Sequence, residues 1–375
     1  MHTTLTAHVG KDVFVRPSPV AMVWQGPGTR HQAMAVPGVT LGSGDVLVEV
    51  ELATVCGSDV HTVLGHREAA TPLVLGHEQV GRVVAVGGPV TAMDGTLLVA
   101  GMRVVWSIVV SCGVCDRCSA DLQQTCRRRA TYGHDRVHRG WELSGGFATH
   151  VELLEGTAIV IVGETPPAAV FAPASCATAT AIAALDAAGR DLTGTAVLVT
   201  GAGMLGLTVT AIATDAGARV VVSDPDPARR SLAGRFGAVA TVDPAAGAAE
   251  HLDLARLAVG VEGFPVALEV SGEASGVDAA IEALSIGGTA VLVGSESPGA
   301  PLGIDVERIV RGLLTVRGVH DSRPRDLQRA VDFLTGAWRR YPFAELVGAE
   351  FALDDVDEAL VAAASGAFPR VGVRP

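Results

Sequence analysis

Ala196-Val197-Leu198-Val199-Thr200-Gly201-Ala202-Gly203-Met204-Leu205-Gly206 is a β-branched run that breaks at glycine and continues into an apolar helical stretch, residues 207–216. A strand feeding G-x-G-x-x-G feeding a helix is the arrangement that holds a dinucleotide pyrophosphate. Gly201 permits the tight turn, Gly203 lets backbone approach the phosphates, Gly206 allows close helix packing, and the helix N-terminus attracts negative charge. In a glycine-rich chain the motif alone says little, and its place between strand and helix gives it weight. Met204 and Leu205, inside the turn, are expected against the cofactor with the three glycines.

Outward from this point the pattern repeats. Arg219-Val220-Val221-Val222, Val266-Ala267-Leu268-Glu269 and Ala290-Val291-Leu292-Val293 are further β-branched runs separated by alanine-rich helical stretches. Strand and helix in alternation predict βαβ units and a doubly wound parallel sheet, an α/β fold. The second run ends at Ser223-Asp224, about twenty residues past the fingerprint, where a carboxylate accepts the ribose hydroxyls of NAD and repels the 2′-phosphate of NADP. NAD is therefore the expected cofactor, with Arg229 and Arg230 close enough to moderate the preference or to be solvated residues of the next helix. Val293, closing the last run, is placed among the cofactor contacts.

The N-terminal half reads differently. Residues 44–53, GDVLVEVELA, alternate as a half-buried strand should, and short runs at 81–87 and 101–106 do likewise, so a β-rich domain is predicted. The first strand delivers Cys56-Gly57-Ser58-Asp59-Val60-His61, and a second run delivers Leu75-Gly76-His77-Glu78. Two thiolates and an imidazole, from Cys56, Cys176 and His77, supply three of the four ligands of a tetrahedral zinc; a catalytic zinc keeps its fourth position open. Glu78, next to the histidine, can adjust the charge balance at the ion. Cys112, Cys115, Cys118 and Cys126 form a second set, four thiols in a short segment, which suits one closed structural ion; an iron–sulfur cluster and a nucleic-acid-binding zinc knuckle use similar spacings.

Bulk properties narrow the field. The 375 residues call for two domains, and a net charge of −12, with no basic run beyond Arg127-Arg128-Arg129, disfavours nucleic acid. Residues 1–17 lack the pattern of a signal peptide, and the longest uncharged stretch, 165–185, is too rich in Pro, Ser and Thr to span a membrane, so a buried helix is expected there. Six cysteines in such a chain suit a reducing, cytoplasmic setting and metal ligation.

Taken together, Cys56-Gly-Ser58-Asp59-x-His61, Gly76-His77-Glu78, the four-cysteine lobe, Gly145-Gly146-Phe147-Ala148, Cys176-Ala-Thr-Ala-Thr180 and the nucleotide fingerprint resemble the zinc-dependent medium-chain dehydrogenase/reductase family, of the alcohol dehydrogenase type. The resemblance implies a GroES-like catalytic domain over 1–170 and 320–375, with a structural zinc lobe at about 110–128, and a Rossmann domain over 171–319, the active site lying in the cleft between them. It implies two zinc ions per chain, one held by Cys56, His77 and Cys176 and one by the four-cysteine lobe. It makes Asp59 the partner that orients His77, Ser58 the hydroxyl touching substrate oxygen, His61 the outer end of a proton relay, and Thr180 a nicotinamide contact. Gly57 departs from the pattern, since several relatives carry a basic residue there. A homodimer or homotetramer acting on a small alcohol or carbonyl follows, with Ile108, Val60 and Leu64 suggesting a bulky or cyclic secondary alcohol. A hydroxyalkylphosphonate, anchored by Arg129, Arg136, Arg139 or Arg317, is an alternative substrate. A metal-independent quinone reductase or a non-catalytic binding protein is the alternative within the same fold.

Overall fold

The computed structural model describes residues 10–295 and 302–375; the first nine positions of the N-terminal stretch lie outside them. The chain divides into two compact units, Met1–Ser175 with Val347–Pro375, and Cys176–Leu346.

In the first unit the alternating stretch forms the ten-residue strand Val46–Val55, the spine of a seven-stranded sheet. Glu78–Val86 and His150–Leu153 pair with it antiparallel, as does the C-terminal strand Arg370–Arg374, which runs parallel to Val347–Ala352. The tail thus returns to the first sheet. Arg103–Trp106 and Ile159–Ile161 complete the other edge. Trp24, Trp106, Phe147, Leu73 and Val55 pack beside the sheet with almost no exposure, and each such side chain taken from water contributes about 1.5–3 kcal/mol. The core therefore fixes the ends of Val46–Val55 and the start of Glu78–Val86, where Cys56, His77 and Glu78 lie.

The second unit is a six-stranded parallel sheet. Its strands, in spatial order, are Ala240–Val242, Arg219–Ser223, Ala196–Thr200, Phe264–Glu269, Leu284–Leu292 and Thr315–Gly318. This is the 3-2-1-4-5-6 order of a doubly wound dinucleotide-binding fold, with its switch point between Ala196–Thr200 and Phe264–Glu269. All five residues of Ala196–Thr200 are buried, as a central parallel strand covered on both faces requires. The fingerprint helix is Met204–Asp215.

Two boundaries differ from expectation. The uncharged stretch 165–185 forms three short helices, Ala168–Phe171, Ala172–Ala174 and Ala177–Ala187, with Pro173 denying an amide donor at the break. The second unit continues to Leu346, later than the expected 319, because Thr315–Gly318 is its sixth strand and helix Pro324–Ala337 packs on Ala177–Ala187. No single helix among the described residues is long and apolar enough to cross a membrane.

Candidate metal centres and dinucleotide site

Val46–Val55 ends one residue before Cys56, which caps the short helix Gly57–Val63. Asp59, fully buried in its first turn, accepts from the Cys56 amide at 2.9 Å and from the Gly76 amide at 3.4 Å. One carboxylate therefore ties the two ligand-bearing loops together. Its Oδ1 also lies 3.4 Å from His77 Nδ1, so the opposite nitrogen, Nε2, is turned to the Ser58 hydroxyl, 3.5 Å away. A carboxylate beside Nδ1 favours the tautomer with the proton there, in which Nε2 has a lone pair available to a metal. Cys176 follows Ser175, whose hydroxyl donates to the His77 carbonyl at 3.1 Å. Donor atoms of Cys56, His77, Glu78 and Cys176 all lie within 4.8 Å of one another.

His77 is 2 % exposed. Burial, the largest influence, pulls its pKa down, yet Asp59 and the Cys56 thiolate together hold it well above the usual imidazole range. The buried Glu78 carboxyl is raised by burial, against the opposing pull of Arg370. Arg370 Nε and Nη2 each donate to Glu78 at 2.9 Å, Thr54 donates to the same carboxylate at 2.7 Å, and Arg370 Nη2 is 3.6 Å from Cys56 Sγ. Such a set of anionic donors, gathered in a dry place, suits a divalent cation.

The four-cysteine lobe is also assembled. Its thiols are unpaired by disulfides, and their sulfurs are 3.5 Å apart for Cys115–Cys118 and Cys126–Cys112 and 3.9 Å for Cys115–Cys126. Four sulfurs at about 2.3 Å from one tetrahedral zinc stand about 3.8 Å apart, whereas a disulfide needs about 2.05 Å. The separations fit one shared ion rather than a pair of bridges. Amide donors from Val114 and Cys115 draw the Cys112 thiol down to about 6, while burial, with its neighbouring thiols adding to it, pushes Cys118 up to about 12. Four thiolates crowd together only when a cation offsets their charge.

In the second unit Gly201 has φ +106°, and an added Cβ would meet the Ser271 amide at 2.9 Å; a Cβ on Gly206 would run into the Gly201 carbonyl. Space beside Gly203, which caps the helix Met204–Asp215, is open, as a cradle for phosphate requires. Met204 is buried and Leu205 half-buried. Asp224 accepts from the Ala202 amide at 2.7 Å and from the Asp226 amide at 2.9 Å, so the carboxylate is fixed to the glycine turn with lone pairs to spare. Arg230 donates to the Asp224 and Pro225 carbonyls and pairs with Asp243 at 3.1 Å; it is not a solvated residue. Arg229 lies 3.9 Å from Asp226. Thr180 is buried one turn along from Cys176, its amide bonded to the Cys176 carbonyl, and Val293 is buried with its amide on Glu269.

His61 is exposed, its ring 5.6 Å from that of His66, and shares the helix Gly57–Val63 with buried Ser58. Ile108 is buried, Val60 half-buried and Leu64 exposed. Arg129, Arg136, Arg139 and Arg317 are all exposed, which gives a phosphonate no buried anchor among them. Two residues beside the candidate metal cluster were not foreseen. Arg370 is 292 positions from its partner Glu78, and nothing in a terminal Pro-Arg-Val-Gly-Val signals the pairing. His134 lies with its ring centroid 4.7 Å from that of His77, held by a turn in which Gly133 presses on the Gly76 carbonyl.

A model described as the alcohol dehydrogenase GroES-like domain matches residues 42–162, and one described as zinc-binding dehydrogenase matches residues 205–336. An L-threonine 3-dehydrogenase of Chelativorans sp. is 34 % identical over 76 % of this chain and 78 % of its own length. The chain belongs to the zinc-dependent medium-chain dehydrogenase/reductase family. The solved alcohol dehydrogenase of Thermotoga maritima, 29 % identical, superposes with a TM-score of 0.89 over 96 % of this chain and 99 % of that one. A zinc-binding dehydrogenase of Sinorhizobium meliloti, solved bound to NADP, is 27 % identical with a TM-score of 0.83 over 96 % of this chain and the whole of that one. As a member of this family the chain is an oxidoreductase acting on CH–OH groups, with zinc and a nicotinamide dinucleotide as cofactors. Its fold is the GroES-like and Rossmann pairing that the sequence motifs implied.

Proposed function

We propose that this dehydrogenase interconverts a secondary alcohol and its ketone with NAD, at the cluster of Cys56, His77 and Cys176. The observation that carries the reading is the gathering of donor atoms of Cys56, His77 and Cys176 within 4.8 Å of one another, with the Ser58 hydroxyl 3.5 Å from His77 Nε2. When bound, zinc supplies a Lewis acid that brings an alcohol hydroxyl towards ionisation near neutral pH, and the nicotinamide supplies a carbon that accepts hydride. The chain's own part is proton transfer and orientation. Ser58 Oγ takes up the hydroxyl proton and passes it towards His61, which as an exposed imidazole releases it to solvent. Asp59 holds His77 in the ligating tautomer, and Glu78, gripped by Arg370 and Thr54, sets the charge beside the ion. Cys112, Cys115, Cys118 and Cys126 hold the second, structural ion.

At the nucleotide end, Gly201, Gly203, Met204, Leu205 and Gly206 receive the pyrophosphate, Asp224 the ribose, and Thr180 and Val293 the nicotinamide. The cavity beside Asp224 also presents Glu273, Asp278 and Glu282 and no Lys or Arg among its described lining residues. This favours NAD over NADP, since Arg230 is already neutralised by Asp243 and Arg229 lies beside Asp226. The name borne by the Chelativorans relative makes L-threonine the first secondary alcohol to try; buried Ile108 and half-buried Val60 support bulky or cyclic ones as the next. Exposed Ile286, Val306, Val310 and Leu313 near the Thr315–Gly318 end of the parallel sheet support a homodimer or homotetramer. The test is a panel of L-threonine and primary, secondary and cyclic alcohols, each with NAD and NADP, followed by absorbance of the reduced nicotinamide. Turnover of secondary alcohols with NAD is expected. Turnover of quinones alone, undiminished after chelation, would replace this reading with the metal-independent one.

A further inference from the structure

The cavity beside Asp224, about 440 Å³, contains a group that neither proton transfer nor phosphate binding uses. Gly201 and Asp224 mark the pyrophosphate and ribose positions, so the space beyond them, towards Pro225, Pro244 and His251, falls to the base. His251 is 3 % exposed. Its Nδ1 is 2.8 Å from the Gly247 carbonyl, one turn back in the chain. A carbonyl only accepts, so Nδ1 carries the proton, and in the neutral ring Nε2 is left as a lone pair. Nε2 points away from Gly247, is buried, and has no hydrogen-bond partner among the described residues.

We propose that His251 reads the base of the bound dinucleotide, its Nε2 accepting a hydrogen bond from the 6-amino group of adenine. That amino group is the donor on the adenine edge; a 6-oxopurine presents an acceptor at the same position, and two acceptors repel. The carboxylates of Glu273, Asp278 and Glu282 likewise only accept, so this cavity rewards ligands rich in donors. The inference rests on the dinucleotide reading above and adds to it selectivity for the base.

Calorimetric titration of the zinc-loaded protein with NAD and with nicotinamide hypoxanthine dinucleotide tests it without any turnover. Wild type should bind NAD about tenfold or more tightly, the discrimination of one hydrogen bond exchanged for a repulsive contact. His251→Phe keeps a ring of similar size and should bring the two affinities to within about twofold, while His251→Gln, which retains an acceptor, should keep a preference for NAD. The ratio of the two affinities is read in each protein, so a general loosening of the site cancels. Equal affinities in wild type, or an unchanged ratio in His251→Phe, would overturn the role of His251 and leave the dinucleotide reading standing. If neither compound bound wild type, the dinucleotide reading would fall as well.

Discussion

The two candidate metal clusters share thiol chemistry and are built in opposite ways. The lobe draws Cys112, Cys115, Cys118 and Cys126 from one short segment, with Val114 72 % exposed beside them and only the short helices Asp116–Ser119 and Gln123–Thr125 for regular structure. The other cluster brings Cys56, His77 and Cys176 from three distant segments onto the end of the ten-residue strand Val46–Val55 and the start of Glu78–Val86. Asp59, Ser175 and Arg370 brace it from further places still. On the proposed reading, an ion in the lobe would organise the chain, whereas at the other site the chain would organise the ion. Removing metal should therefore cost structure in the first case and chemistry in the second.

The largest effect is expected of His77→Ala, which should lower kcat/KM about a thousandfold or more while the protein keeps one zinc and nearly its full melting temperature. If it unfolded instead, the second cluster would be as dependent on its ion as the lobe. Ser58→Ala should come next, with turnover down about a hundredfold and both zinc ions retained; unchanged turnover would remove the hydroxyl from proton transfer. Cys115→Ser should do the reverse of His77→Ala. Loss of one zinc and a melting temperature lower by about 5 °C or more are expected, with turnover per folded molecule reduced less than about tenfold.

The smallest effect calibrates stability away from either ion. Burial raises Glu152 to about 8, and Asp45 and Glu142 add to the rise. Above the unfolded carboxyl value the native state holds the extra proton, so stability falls as pH rises from about 4.5 towards 8. Glu152→Gln should flatten that slope in thermal melts and leave both metal contents unchanged. A slope as steep as wild type would place the pH dependence elsewhere, the thiol clusters included.

What the sequence made legible follows from contact range. The lobe and the glycine turn were readable because each packs its chemistry into a few consecutive residues whose types have few other uses together. Cys56, His77 and Cys176, whose donor atoms the fold gathers within 4.8 Å, stand out in the sequence only when taken with those local motifs. Arg370 was invisible, because its role depends on the register that sets Arg370–Arg374 against Val46–Val55. His134 was missed for a similar reason: its position comes from a glycine pressed on the Gly76 carbonyl, and no periodicity reports that. The edge strands Ala240–Val242 and Thr315–Gly318, three and four residues long, carry too short a pattern to separate from loop. The unexpected end of the second unit follows directly from missing the latter.

Anomalous diffraction from crystals of the purified protein, measured on either side of the zinc absorption edge, decides whether both clusters hold zinc. Two zinc peaks per chain are predicted, one enclosed by Cys112, Cys115, Cys118 and Cys126 and one within bonding distance of Cys56, His77 and Cys176. A single peak in the lobe, with the second cluster bare in zinc-replete protein, would contradict it.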